Sequence, residues 1–273
     1  MATRSIEGEA LNTAGKKIAL VLGAGGARGL AHLGVIQVLL EESIPFDFIV
    51  GCSMGAIVGA LYGAGADPYF LGKMLVNMNL SRFWDVRVPR MGFISGTRIE
   101  ELIRLLTKER NFEQLDPPVA VVATDVETGE KVVIQEGSVS KAVRASMSIP
   151  GIFVPVKYKD RLLVDGAVAE RLPIVTAREL GADIVLAVDV VFAENLKTKV
   201  KNTLDVILQS IEILERQIFE NITRNQADVL IQPKLGHIAS NDFEKVEECV
   251  QAGRESTKAS IDAIKQVVWE NKI

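Results

Sequence analysis

Two apolar runs, each followed at once by a glycine-rich turn and a second apolar stretch, limit the folds open to this chain. Residues 18–22 read "IALVL" and residues 46–50 read "FDFIV". Each run has the length of a buried strand, and helical spacing of apolar residues follows at about 30–42 and 54–65. Two consecutive strand–turn–helix units of this kind predict a parallel sheet covered by helices.

The rest of the chain continues the same alternation. Residues 119–126 predict a further buried strand, whereas residues 200–227 and 242–270 predict long helices. No internal repeat or low-complexity linker interrupts them. We therefore expect an α/β fold with three layers, α/β/α, around a mainly parallel central sheet.

These elements predict a single domain at residues 16–273, after a polar N-terminal tail at residues 1–15. Residues 195–273 are expected to form its C-terminal helical region with one strand. Residues 67–116 mix aromatic and basic residues with polar turns, which favours a cap near a functional site.

Within that cap, Thr97 and Glu100 have the spacing of a helix capping box before an amphipathic run. Four apolar side chains of the segment offer either a surface for an acyl chain or ordinary core packing: Phe83, Trp84, Phe93 and Ile94.

The composition excludes several classes of function. The chain has 31 Lys and Arg against 35 Asp and Glu, a formal net charge of −4, so it lacks the basic surface of nucleic-acid-binding proteins. Its cysteines, Cys52 and Cys249, provide neither a disulfide framework nor zinc-ligand spacing. No apolar stretch has transmembrane length, so we expect a cytoplasmic protein, with peripheral contact at the inner membrane surface left open. Nothing in the sequence indicates an oligomeric state.

Ser53 lies between the second predicted strand and its helix, in the sequence Gly51-Cys-Ser53-Met-Gly55. This pattern is typical of a nucleophile elbow, a turn so sharp that a Cβ two positions from the serine would meet neighbouring backbone. The helix that begins just after Ser53 also directs its free amides toward the serine oxygen. The motif is common by chance, so a tight turn without chemistry is the alternative.

The glycine-rich loop after the first strand, "GAGGARG", admits two interpretations. A dinucleotide-binding loop for NAD(P) requires Gly-x-Gly-x-x-Gly, and the sixth position from Gly23 is Arg28. In the other interpretation the Gly25 and Gly26 amides form an oxyanion hole, and Arg28 adds a positive charge or braces the loop.

Asp165 follows a further strand-like run, "RLLV", and precedes Gly166. An aspartate at a strand end is typical of a turn, but it is also placed to take the Ser53 proton if the contact is short and desolvated. The chain order Ser53, Asp165, His237 also fits an α/β-hydrolase triad. His32, on the helix after the glycine loop, is assigned a structural role.

Taken together and in order, the motifs "GAGGARG", "GCSMG", "ASMSIPGIFVPV" and "VDGA" resemble those of the patatin-like phospholipase family, which includes the catalytic domain of neuropathy target esterase. The resemblance covers residues 16–190 strongly and the C-terminal helices loosely. It implies a serine–aspartate dyad, with Ser53 as nucleophile and Asp165 as base, acting on a lipid or acyl-ester substrate without metal or cofactor.

The same resemblance places Gly25 and Gly26 in the oxyanion hole with Arg28 beside it, and residues 148–155 near the entrance to the site. It gives His237 a structural role. Four further glycines support these turns: Gly29, Gly51, Gly55 and Gly166. Many members begin the loop with Asp-Gly-Gly-Gly, where this chain has Gly23-Ala24-Gly25-Gly26, and their last motif is Asp-Gly-Gly, where this chain has Asp165-Gly166-Ala167. Neither change removes an amide donor.

Overall fold

The computed structural model describes residues 15–78, 85, 92–191, 200 and 202–270. Residues 1–14 of the predicted N-terminal tail therefore lie outside the described residues. The strands are β1 (Ile18–Leu22), β2 (Phe48–Cys52), β3 (Gly92–Ile94), β4 (Val119–Asp125), β5 (Lys131–Ile134), β6 (Gly151–Phe153), β7 (Val156–Tyr158), β8 (Arg161–Asp165), β9 (Ile184–Val188) and β10 (Val229–Ile231).

The helices lie between these strands and after them. They are α1 (Ala31–Glu41), α2 (Met54–Gly63), α3 (Pro68–Val76), α4 (Thr97–Leu106), α5 (Val139–Ser146), α6 (Ala167–Glu170), α7 (Ile174–Glu179), α8 (Thr203–Ile218), α9 (Val246–Ala259) and α10 (Ile261–Lys265). Over the part of the chain that the structure describes, none has the length and apolar character that crossing a bilayer requires.

The central sheet has a parallel body and an antiparallel extension. Strands β10, β9, β1, β2 and β4 pair in parallel in that order. Strand β4 also pairs antiparallel with β5 and β8, and β7 pairs antiparallel with β8. A separate small parallel sheet joins β3 to β6. The predicted mainly parallel α/β sheet is confirmed.

Alternate residues of the central strands pack into two different cores. Ile18, Leu20 and Leu22 of β1 belong to a core that includes residues of α1 and α2, whereas Ala19 and Val21 belong to a core that includes residues of α7. Because successive side chains of a strand point to opposite faces, helices cover both faces of the sheet. This gives the three layers that the alternating pattern predicted.

Helix α9 packs against α1 so closely that both helices need glycine at the contact. A Cβ added to Gly34 would lie 1.9 Å from the carbonyl oxygen of Val250, and one added to Gly253 would lie 2.1 Å from that of Ala31. The contact holds the C-terminal region against the first strand–turn–helix unit, where Ala27 donates its amide to the Ser240 carbonyl at 2.8 Å.

The predicted capping box at the start of α4 is wrong. Gly96 occupies the cap position with φ 72° and ψ 10°, and no side chain caps the helix from that residue. The carboxylate of Asp85 instead accepts the amides of Gly96 at 2.7 Å and Thr97 at 3.1 Å. Asp85, which lies outside the helix, thus accepts hydrogen bonds from the free amides at the helix start, the role that was expected of the Thr97 side chain.

The prediction of one continuous helix at 242–270 is also wrong. Helix α9 ends at Ala259, and α10 begins at Ile261. At Ser260 the amide is shared between the carbonyls of Ser256 and Thr257, and the Ser260 hydroxyl bonds to the Ser256 carbonyl at 3.0 Å. Hydroxyl groups that bond back to the preceding turn compete with the helix ladder and bend it.

The α1–α9 contact predicts opposite effects for two glycine-to-alanine substitutions. Gly34→Ala is expected to lower the free energy of unfolding by about 1–3 kcal/mol because the new methyl group meets the Val250 backbone. Gly72→Ala in α3 is the matched control, since its new Cβ has nothing within 4 Å. It should raise the free energy of unfolding by up to about 1 kcal/mol through helix propensity. Urea unfolding of both variants tests this, and equal effects would contradict the close helix contact.

Candidate active site

The turn between β2 and α2 holds Ser53 in a backbone conformation that few non-glycine residues adopt, with φ 52° and ψ −117°. Glycine is required on both sides of it. A Cβ on Gly51 would lie 2.6 Å from the Cα of Ala56, and a Cβ on Gly55 would lie 2.0 Å from the Leu22 carbonyl oxygen. The Gly-x-Ser-x-Gly spacing is therefore a steric requirement of this turn.

Strand β4 brings Asp165 to the serine. At the end of β2, Cys52 pairs with Val122 of β4, and at the end of antiparallel β8, Asp165 pairs with Ala123. The two strand ends therefore meet at adjacent positions of one strand. The Ser53 hydroxyl donates a hydrogen bond to Oδ2 of Asp165 at 2.7 Å, with no residue between them.

The Asp165 carboxyl group is almost wholly buried, with 3% of the residue exposed. Its Oδ1 accepts the Ala167 amide at 2.9 Å and lies 3.8 Å from Sγ of Cys52. Burial raises the pKa of Asp165 to about 6, although the hydrogen bonds to the carboxylate oppose this. A higher pKa makes the carboxylate a stronger proton acceptor than an exposed aspartate. Gly166 is also required here, because its Cβ would lie 2.2 Å from the Val122 carbonyl oxygen.

Two backbone amides of the glycine loop have no hydrogen-bond partner among the described residues. Ala24 and Ala27 donate their amides to carbonyls elsewhere in the fold, whereas Gly25 and Gly26 donate none to another described residue. Both glycines line a cavity together with Ser53. Unpaired amides at such a position are suited to an oxygen that gains negative charge.

Side chains could not replace these loop glycines. A Cβ on Gly25 would lie 2.4 Å from a methyl group of Val190, and a Cβ on Gly29 would lie 2.4 Å from Cγ of Met54. Gly26 has φ 57°, in the left-handed region that favours glycine.

Arg28 braces the loop from within the protein. It is 6% exposed, and its Nε donates to the Ile238 carbonyl at 2.7 Å. Its Nη1 lies 3.7 Å from the carboxylate of Glu212 on α8. Of the two roles considered for Arg28, these contacts favour bracing, with its positive charge partly balanced by α8.

Neither histidine lies between Ser53 and Asp165. His237 is largely exposed and its Nε2 contacts the Glu248 carboxylate. The pKa of His32 is lowered to about 4 by burial, so its neutral ring donates from Nε2 to the Gly23 carbonyl at 2.8 Å. His32 thus fastens α1 to the glycine loop, in the structural role expected from the sequence.

The cavity over Ser53 has a volume of about 160 Å³. Ile149, Pro150 and Ile152 form part of its wall, which is where residues 148–155 were expected to lie. This volume is smaller than that of pockets that enclose drug-sized ligands, about 300–1,000 Å³. A long acyl chain would therefore extend beyond the rim.

The predicted cap contributes no wall to this cavity among its described residues. Ile94 is buried in the main core and Phe93 is 47% exposed. Phe83 and Trp84 lie outside the described residues. The segment reaches the site indirectly, since β3 pairs with β6 next to the wall residues Ile149 and Pro150.

Ser146 holds the backbone of Ser53, a role that the sequence did not suggest. Its hydroxyl accepts the Ser53 amide at 2.9 Å and donates to the Val122 carbonyl at 2.6 Å. Ser146 belongs to the quoted stretch "ASMSIPGIFVPV", which offers no spacing rule that would assign this contact. The two bonds connect the elbow to β4 through the Ser146 hydroxyl.

A buried ion pair supports the loop from the other side and was also missed. Arg171 Nη1 lies 2.6 Å from the carboxylate of Asp189, and both residues are buried. The Arg171 carbonyl accepts the Ala24 amide at 2.9 Å. The only signal in the sequence is the position of Asp189 directly after the buried run "IVLAV".

The acid that a dinucleotide site needs at the end of the second strand is not there: Asp47 precedes β2, and its Oδ2 accepts the Ile18 amide at 2.6 Å. Among the described residues, no three His, Cys, Asp or Glu side chains cluster as metal ligands would.

Comparison with known proteins gives sequence relatives, two of which match about two thirds of the chain. An uncharacterised NTE family protein of Mycobacterium tuberculosis is 38% identical over 174 residues, which are 63% of this chain and 48% of that protein. Patatin-like phospholipase domain-containing protein 7 of Mus musculus is 37% identical over 185 residues, 64% of this chain and 14% of that protein. The chain thus matches about half, or less, of the length of these relatives.

The fold has a solved counterpart in VipD from Legionella pneumophila. The TM-score is 0.63 at 15% identity, and the match covers 91% of this chain and 67% of that one. The model of the patatin-like phospholipase family matches residues 20–178, a stretch that contains the elbow, the glycine loop and the Asp165 strand end. The chain belongs to the patatin-like phospholipase family.

Proposed function

We propose that this chain hydrolyses acyl esters of lipids through a dyad of Ser53 and Asp165. The observation that carries the proposal is the direct 2.7 Å hydrogen bond between the serine hydroxyl and the buried carboxylate. The geometry favours a dyad over a triad, because His237 has its own surface partner in Glu248. The family's description as phospholipases supports a lipid substrate.

In the first half of the reaction, the Ser53 oxygen attacks the ester carbonyl carbon while Asp165 accepts the hydroxyl proton. The carbonyl oxygen becomes an oxyanion, which accepts hydrogen bonds from the Gly25 and Gly26 amides. The tetrahedral intermediate then breaks its bond to the leaving alcohol, which takes the proton back from Asp165. An acyl-enzyme ester on Ser53 remains.

In the second half, a water molecule attacks the acyl carbon and gives its proton to Asp165. The oxyanion forms again at the same amides. Collapse of this intermediate breaks the bond to Ser53, whose oxygen recovers the proton from Asp165, and the fatty acid leaves. A single carboxyl group therefore acts as base and acid in alternation, as its raised pKa permits.

Substrates of this kind reside in membranes, so the proposed reaction places the protein at least transiently at a lipid surface. We propose that the protein is cytoplasmic and makes peripheral contact at the inner membrane surface. Assays with a panel of phospholipids, lysophospholipids and simple esters would determine the preferred headgroup and acyl-chain length.

Ser53→Ala and Asp165→Asn are each expected to lower kcat/KM for a soluble short-chain ester by at least about a thousand-fold, since each removes a member of the reacting pair. Ser53→Ala should also abolish labelling by a fluorophosphonate probe. Ser43→Ala is the matched control because this exposed serine has φ 53°, close to that of Ser53. Labelling of the Ser53→Ala protein equal to wild type would refute the assignment of the nucleophile.

The pH dependence should report the buried carboxyl group. Asp165 accepts a proton only when it is ionised, so kcat/KM is expected to rise as pH increases through about 6, the raised pKa of Asp165. Below that pH, the protonated carboxyl group cannot act as base and the rate falls about ten-fold per pH unit. A profile measured on the soluble ester is decisive, and an acid limb near pH 4, as for an exposed aspartate, would count against Asp165 as the base.

His237→Ala separates the dyad from the triad. The dyad predicts a kcat/KM within roughly two-fold of wild type, whereas a triad histidine would cost about 10⁴-fold or more. The soluble-ester assay measures this directly. Because His237 is exposed and paired with Glu248, the substitution should leave the fold intact, which thermal unfolding verifies.

A further inference from the structure

Helix α8 covers the catalytic cavity with its charged side turned inward. Leu208, Ile211, Glu212 and Glu215 line the same cavity as Ser53. Between residues 206 and 218 the charged residues are Glu212, Glu215 and Arg216, and none of them is fully exposed. Charged residues of a surface helix normally face water, whereas these three residues of α8 face the protein.

The outward side of α8 has no charged residue between positions 206 and 218. Its exposed residues from 206 to 218 are Val206, Ile207, Ser210, Ile213, Leu214, Gln217 and Ile218. The five aliphatic members are between 42% and 63% exposed. At about 100° per residue, all seven fall on one arc of the helix surface. They form what we call the outward apolar face.

Interactions of the inward side fix this orientation. Glu212 forms its ion pair with Arg28 of the glycine loop at 3.7 Å. Glu215 lies near Asp165 and Arg171, and its pKa is raised to about 8 by burial and by the negative charge of Asp165. Phe219, directly after the helix, is buried with its ring against the Arg171 guanidinium at 4.9 Å. Rotation of the helix would break these contacts, so its apolar residues stay outside.

The outward apolar face continues to the catalytic cavity. Val168 of α6 is 43% exposed and lines the cavity that contains Ser53. It also lines the neighbouring groove together with Ile218, which belongs to the outward apolar face. An acyl chain that extends past the cavity rim at Val168 therefore reaches apolar surface of α8.

We propose that the outward apolar face of α8 docks on a lipid surface and brings the catalytic cavity to membrane-resident substrate. This inference rests on the proposed acyl hydrolase function. Amphipathic helices bind in this way by lying in the interface plane with their apolar face among the acyl chains. Docking on lipid accounts for the exposed apolar residues and the inward-facing charged residues of α8.

A second copy of the chain fits this face less well. The largest apolar patch on a typical monomer measures about 300–600 Å², and the outward apolar face has only five partly exposed aliphatic side chains. Each partner in a stable dimer typically buries about 800 Å². A bilayer needs no complementary surface, so a single helix face suffices for docking.

The test measures co-sedimentation with phosphatidylcholine vesicles in the Ser53→Ala background, so that no hydrolysis alters the lipid. Adding Ile207→Glu and Leu214→Glu should weaken vesicle binding by about ten-fold or more, because both positions lose apolar burial and gain a charge. Binding of the parent should change little between about 0.1 and 1 M salt, since the face is uncharged and the lipid is neutral.

Leu105→Glu is the matched control, because Leu105 on α4 is 66% exposed and Leu214 is 63% exposed. It should leave vesicle binding at the parent level. Thermal unfolding of each variant verifies that the fold is retained.

Three results would overturn the proposal: a parent protein that does not bind vesicles, a double variant that binds like the parent, or equal loss from Leu105→Glu. A dimer that the double variant dissociates in sedimentation velocity, with vesicle binding unchanged, would assign the face to a second copy instead. Vesicle binding needs no turnover. Absence of esterase activity in the wild type would therefore refute the proposed function and leave this measurement standing.

Discussion

The meeting of two strand ends on β4 is the constraint on which the rest of the site depends. Parallel β2 and antiparallel β8 approach from opposite directions and end at adjacent β4 residues, Val122 and Ala123. The residues at and just after those ends, Asp165 and Ser53, can then touch without a third group between them. Because the two strands run in opposite directions along β4, their last residues converge on the middle of that strand.

Burial gives this contact its chemical character. The same low-dielectric surroundings that raise the pKa of Asp165 also strengthen a hydrogen bond to any charge that develops nearby. The strained backbone of Ser53 is held by the Ser146 hydroxyl and by the flanking glycines. Charged groups around the cavity are balanced in turn, Arg171 by Asp189 and Arg28 by Glu212. Because α8 contributes to this balance, its apolar residues remain on the outside.

The differences between expectation and structure have a common physical origin. Thr97 has the local spacing of a cap, but Asp85 supplies the carboxylate that the helix amides use. The helix predicted at 242–270 has continuous amphipathic spacing, but hydroxyl back-bonding interrupts it at Ser260. In both places a specific hydrogen bond overrode a pattern based on residue type. Periodicity records which side of a segment is apolar and says little about individual polar partners.

The sequence by itself determined the α/β class, the elbow at Ser53 and the glycine loop, because these follow from apolar periodicity and from turns where only glycine fits. Residue spacing left a dyad and a triad open, and the family resemblance implied the dyad. Only the tertiary structure puts Asp165 in contact with Ser53 and His237 beside Glu248, since strand pairing joins residues far apart in the chain. It also decided the orientation of α8. A helix of mixed pattern can turn either side outward, and ion pairs to distant residues select which side faces the solvent.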